Sequence, residues 1–108
     1  MNEKRRNQSD ASPAVGGVIA ALNHPLRRTI LRVFLDGPST SPVALARELD
    51  DSLNLISYHV KILADNGVVR LVKTVPRRGA LEHFFEPSLG SHAGWVEKVL
   101  GLPDPDRD

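Results

Sequence analysis

Asn54, Ser57, Tyr58 and Lys61 follow one another at short spacings. On an α-helix turning about 100° per residue they form one narrow strip bearing an amide, two hydroxyls and an ammonium. These groups hydrogen-bond base edges and hold phosphate oxygens. Asn54 suits the bidentate pattern of adenine and Ser57 either base type, while Tyr58 and Lys61 suit phosphates or, for lysine, guanine acceptors. Asp65 shares the strip near its C-terminal end, where it is expected to stay outside a groove. Leu53, Leu55, Ile56, His59, Val60, Ile62, Leu63 and Ala64 fill the remaining arc. Such an arc calls for packing on nearly every side. The plainer alternative for the strip is a solvated helix face, but a helix packed all round except for one polar ridge reads as a recognition helix.

A second set of candidates is basic. Arg77 and Arg78 stand in the turn Pro76-Arg77-Arg78-Gly79, with Lys73 just before it. Charged turns are common, yet paired arginines on a protruding hairpin suit phosphate or minor-groove contact. Thr40 and Ser41 precede a helix whose N-terminal dipole favours an anion, and Ser41 also suits the N-cap. The formal net charge is only +1. From Leu53 to Ala80, however, Lys61, Arg70, Lys73, Arg77 and Arg78 face a single acid, Asp65, for a local charge of +4. A near-neutral chain with one basic lobe is compatible with docking on a polyanion.

Other chemistries find little support. The chain has no cysteine, which removes disulfides, thiolate metal sites and thiol nucleophiles together. His24, His59, His83 and His92, with Glu82, Glu86 and Glu97, show no metal-ligand spacing, and His92 and Glu97 share a helix face poorly. His59, in the apolar arc, is expected to be buried and hydrogen-bonded. Ser57 and His59, two apart, point to different faces and make no catalytic pair. Neither an enzyme nor a cofactor is expected. No apolar run approaches the roughly 20 residues of a membrane span. Met1 to Pro13 has no apolar core of the kind a secretory signal needs. A cytoplasmic protein is therefore expected.

The elements that must carry these residues form a regular series. With 108 residues, one small domain with one core is expected. Residues 1–13 read as a disordered basic tail, 14–101 as the folded domain and 102–108 as a disordered acidic tail. Val15, Val18, Ile19 and Leu22 suggest a first helix. Pro25 opens a second, burying Leu26, Ile30, Val33 and Phe34 with Arg27, Arg28 and Arg32 outside, and Asp36-Gly37-Pro38 stops it. A third helix runs near Pro42 to Leu49. Only Asp50-Asp51-Ser52 separates it from the amphipathic segment, which is the spacing of a helix-turn-helix. Asp51 or Ser52 can cap the fourth helix, and Gly67 can end it. Val68 to Val75 and Ala80 to Phe85 then switch to a twofold period and predict a hairpin. A last helix lies near Ser91 to Leu100. The expected class is α+β, mainly α with a small hairpin: a winged helix-turn-helix in the order α-α-α-α-β-β-α.

In combination these residues resemble the ArsR family of winged-helix transcriptional regulators. The resemblance rests on Ala21-Leu22-Asn23-His24-Pro25-Leu26-Arg27-Arg28 with Val43-Ala44-Leu45-Ala46-Arg47-Glu48-Leu49, on Ile56-Ser57-Tyr58-His59-Val60-Lys61-Ile62-Leu63 with Gly67-Val68-Val69, and on Arg77-Arg78-Gly79-Ala80-Leu81-Glu82-His83-Phe84-Phe85. It covers about residues 15–100. It implies a prokaryotic dimeric repressor on a palindromic double-stranded DNA operator, with the terminal helices forming the dimer and an inducer weakening DNA affinity. The family's founding members sense metals or arsenite through cysteines on the third helix, where this chain has Pro42-Val43-Ala44-Leu45-Ala46, so thiolate sensing does not carry over. Val15, Val18, Ile19, Trp95, Val96, Val99 and Leu100 are the expected dimer surface, since two terminal amphipathic helices exceed what a small core buries. The alternative function is a winged-helix module that binds protein rather than DNA.

Overall fold

The computed structural model describes residues 12–104 and residue 106. Its element order is the expected one, and capping chemistry accounts for the helix starts. Prolines open α2 (Pro25–Asp36) and α3 (Pro42–Leu49), where a missing N–H costs nothing. His24 Nδ1 accepts the Leu26 amide and Ser41 Oγ the Ala44 amide, each at 3.1 Å. Ser52 caps α4 (Leu53–Asp65) by accepting the Leu55 amide, while Asp51 accepts the Ser52 amide. α1 spans Val15–Leu22, and α5 (Ala93–Gly101) follows a single 3-10 turn, Gly90–His92.

Both helices of the helix-turn-helix end in Schellman motifs, which satisfy the last orphan carbonyls. At the end of α3, Asp51 N–H donates to Ala46 O and Asp50 N–H to Arg47 O, with Asp50 left-handed at φ 54°. At the end of α4, Val68 N–H donates to Leu63 O and Gly67 N–H to Ala64 O, with Gly67 at φ 76°. A side chain on Gly67 would also strike Pro13 at 2.9 Å. The turn between the helices is set at its start by the first of these motifs and at its end by the Ser52 cap of α4.

β1 (Val69–Arg77) and β2 (Ala80–Pro87) form an antiparallel wing. Its loop is shorter than the four-residue turn expected, because Arg77 already pairs with Ala80. Arg78 and Gly79 alone make the turn, at φ 36° and 82°, the type I′ geometry that matches strand twist. A bulge at Val72 shifts the register between Leu71 and Lys73. Thr40 pairs through its backbone with Phe85, tying the entry of α3 to the wing.

One core receives side chains from all five helices and the base of the wing, with Ile30, Leu31, Phe34, Leu45, Ile56 and Leu63 fully buried. Val18, Val96 and Leu100 belong to it as well. That corrects the expected dimer surface, of which these three residues are withdrawn into the chain's own interior.

The arginines of α2 also differ from expectation. Rather than pointing into solvent, they fold back onto the C-terminal carbonyls of neighbouring helices. Arg27 Nε donates to Ala21 O, Arg28 Nη1 to Leu22 O and Arg32 Nε to Leu100 O, at 2.7–2.9 Å. Arg28 also takes both oxygens of Asp104 and one of Asp106. Within the segment expected to be a disordered acidic tail, the Asp104 side chain is thus only 2% exposed. Of the basic tail, only Ser12 and Pro13 lie among the described residues: Ser12 Oγ accepts the Ser91 amide and Pro13 O the His92 ring N–H.

The Arg28 guanidinium first, with the Asp106 amide, holds the Asp104 carboxyl at about 2 against an ordinary 3.8. A carboxyl depressed by folding stabilises the fold above its unfolded value and loses that contribution as pH falls toward its folded value. Asp104→Asn is therefore expected to lower the Tm at pH 7, with the gap from wild type closing between about pH 4 and 2. A gap that persists undiminished at pH 2 in thermal melts contradicts the ion pair.

Candidate nucleic-acid interface

α4 is seated by Ile56, His59, Val60 and Leu63, which are buried against α2, α3 and β1. The opposite side carries the polar strip: Asn54, Tyr58, Lys61 and Asp65 are exposed and Ser57 is half-buried. The strip is therefore where the helical period places it. The expectation of packing on nearly every other side is corrected. Leu53 is 46% exposed and Leu55 40%. They flank the ridge on its two sides and stay partly in water, so the ridge is polar along its crest and apolar at its margins.

What orients α4 is a buried polar contact on its inner face. Arg27 Nη1 donates to His59 Nδ1 at 3.2 Å. Arginine has only donors to offer, so Nδ1 is unprotonated and the ring proton sits on Nε2. The His24 ring lies 4.4 Å from the His59 ring, and Tyr58 stands edge-on to it at 5.1 Å. Burial first, then the neighbouring His24 and Arg27, push the His59 pKa below its ordinary 6.5, against a smaller opposing pull from Asp51. His59 is the buried, hydrogen-bonded histidine expected.

The basic residues are less free than their count suggests. Lys61 pairs with Asp65 at 2.9 Å, Arg70 with Glu86 and Arg77 with Glu82 at 2.9 Å. Lys73 lies over the Phe84 ring at 4.9 Å. Arg78, exposed at the tip, has no ion pair among the described residues. Sequence reasoning missed Glu82 and Glu86 as partners because they belong to the returning strand. The missing signal was the turn: with a two-residue loop, Glu82 comes opposite Val75, within reach of Arg77.

Thr40 is half-buried, with its backbone committed to Phe85. Ser41 is fully buried, its hydroxyl donating to Glu82 Oε2 while accepting the Ala44 amide. That corrects its candidacy as a phosphate contact: it caps α3 and anchors the wing, with no surface left for a ligand. Ser41 first, then Arg77, hold the Glu82 carboxyl below its ordinary range.

Of the candidate dimer residues, Val15, Ile19 and Val99 are exposed and Trp95 is half-buried beside Ile19. Among the histidines, His24 caps α2, His59 meets Arg27, and His92 holds Pro13 and Trp95. No group of three metal-ligating side chains occurs among the described residues, and no described helix is long and apolar enough to cross a membrane.

A family model described as a helix-turn-helix domain matches residues 22–72, from the end of α1 through α2, α3 and α4 into β1. No curated protein matches the chain. The match supports a helix-turn-helix family of transcription regulators and, with it, DNA binding.

A histidine whose pKa falls on folding stabilises the fold above its unfolded value and ceases to do so as pH drops below it. The wild-type Tm is expected to decline as pH falls below about 6.5, and His59→Leu to flatten part of that decline. An unchanged slope between pH 7 and 5 in the variant overturns the assignment of His59 as a neutral buried base.

Proposed function

We propose that the chain is an ArsR-like, dimeric transcriptional repressor that occupies a palindromic operator in the cytoplasm. In this reading α4 enters the major groove, and the wing lies on the backbone or in the adjacent minor groove. The observation that carries it is the α4 ridge. Asn54, Tyr58 and Lys61 are exposed on the second helix of a helix-turn-helix whose inner face is locked in the core. Asn54 and Ser57 read bases in this arrangement. Tyr58, Lys61, Lys73, Arg77 and Arg78 supply the phosphate contacts, with Thr40 at the entry of α3.

The ion pairs on this surface do not oppose the reading. Exposed pairs such as Lys61–Asp65 are worth at most about 1 kcal/mol, so a phosphate displaces the carboxylate readily. The exposed side chains of Val15, Ile19 and Val99 on α1 and α5 support an isologous dimer across those helices. Two α4 helices about 34–36 Å apart then meet successive major grooves. With no cysteine in the sequence, any inducer acts without thiolate ligation.

The test is a titration against DNA from the chain's own upstream region at several salt concentrations. Arg78→Ala is expected to weaken binding to all sequences alike and to reduce the salt slope by about 1 per subunit. Asn54→Ala is expected to cost about 1–3 kcal/mol on the operator while leaving non-specific binding unchanged. Affinity that ignores ionic strength, or function that survives loss of Arg77 and Arg78, favours a protein-binding module instead.

A further inference from the structure

We propose that the cleft between α3 and the wing binds a small amphipathic carboxylate, and that this occupant competes with DNA for Arg77. The second half rests on the DNA-binding reading above; the first does not. The cleft measures about 550 Å3, and its walls are Val43, Ala44 and Arg47 from α3 and Arg77, Leu81 and Phe84 from the wing. That volume lies in the range of small-molecule sites, which join apolar walls to a few convergent polar groups.

The two walls are tied together rather than loosely apposed. The Thr40–Phe85 backbone pair and the Ser41–Glu82 hydrogen bond join the start of α3 to β2. Leu81 is 60% exposed and Val43 38%, so an apolar body in the cleft removes both from water. Hydrophobic burial supplies affinity for that body.

Charge selects the other end of the ligand. The cleft holds two guanidiniums against one carboxylate, and that carboxylate is already engaged: Glu82 Oε2 accepts from Ser41 and Oε1 from Arg77 Nε. Arg77 commits its Nε to Glu82, leaving its two Nη groups to donate elsewhere. The Arg47 guanidinium is exposed and makes no hydrogen bond or ion pair with a described residue. One unmatched positive charge beside a resident carboxylate suits a monoanion, and a carboxylate fits the planar fork of arginine. An occupant held by Arg77 withdraws it from a phosphate, and the linkage is reciprocal: bound DNA weakens the ligand by the factor that the ligand weakens DNA.

The probe is 2-naphthoate, titrated into the isotopically labelled full chain without DNA, against matched sodium acetate. Amide shifts are expected at Val43, Arg47, Leu81 and Phe84, saturating with a Kd of about 1 mM or tighter. The neutral 2-naphthamide, of the same shape, is expected to bind at least about tenfold more weakly, and Arg47→Gln to abolish that preference while keeping the folded spectrum. No shifts at the cleft up to about 10 mM, or equal binding of acid and amide, overturns the site. In the second arm, saturating 2-naphthoate is expected to raise the DNA Kd, and Arg77→Gln to remove the effect. Occupancy of the cleft with DNA affinity unchanged overturns the competition. Because the first arm contains no DNA, a chain that binds naphthoate but no DNA upholds the site and overturns the reading of the preceding subsection together with the competition.

Discussion

Helix ends leave carbonyls that must find donors, and for the two terminal helices of this protein α2 supplies them. Arg27, Arg28 and Arg32 reach the last turns of α1 and α5 and bond the carbonyls of Ala21, Leu22 and Leu100. The backbone caps of these two helices, Asn23 N–H to Ala20 O and Leu102 N–H to Val99 O, leave those carbonyls to the arginines. The same guanidiniums carry further duties. Arg28 gathers the carboxylates of Asp104 and Asp106, and Arg27 turns its free edge to His59 on α4. One helix therefore holds the terminal helices in place and fixes the rotation of the helix that bears the polar ridge.

That arrangement ties the ridge to the core through a polar contact as well as an apolar one. Ile56, Val60 and Leu63 bury area without specifying an angle, because hydrophobic contact is non-directional. The Arg27–His59 hydrogen bond is directional, and it is worth most where water is excluded. A neutral His59 keeps two positive charges from being forced together on the inner face of α4. The outer face can then remain hydrophilic at its crest, with Leu53 and Leu55 at the margins offering apolar contact to whatever it meets.

The wing shows a second balance. Its basic residues are distributed over two strands whose acids, Glu82 and Glu86, answer Arg77 and Arg70. The positive lobe counted along Leu53–Ala80 is thus partly neutralised in the free chain. Exposed pairs of this kind are weak enough to exchange a carboxylate for a phosphate at little cost. Ser41 is of another kind, being buried and shared between the cap of α3 and the anchoring of Glu82. It makes the wing and the helix-turn-helix one mechanical unit.

Helix order, the caps at Ser41 and Ser52, the stop at Gly67 and the hairpin were all legible in the residues, because each depends on neighbours within about one turn. The polar strip of α4 was legible for the same reason: periodicity is a local property. What periodicity could not supply was the width of the buried face. Leu53 and Leu55 are apolar, yet they stay partly exposed, because elements distant in sequence set how far the fold covers a helix face. Nor could spacing show that Val18, Val96 and Leu100 go inward while Val15, Ile19 and Val99 stay outward. The partners of Arg27, Arg28 and Arg32, the burial of Ser41 and the cleft beside Arg47 are likewise products of the tertiary structure. Each arises from groups far apart along the chain, and only the packed chain decides which of them meet.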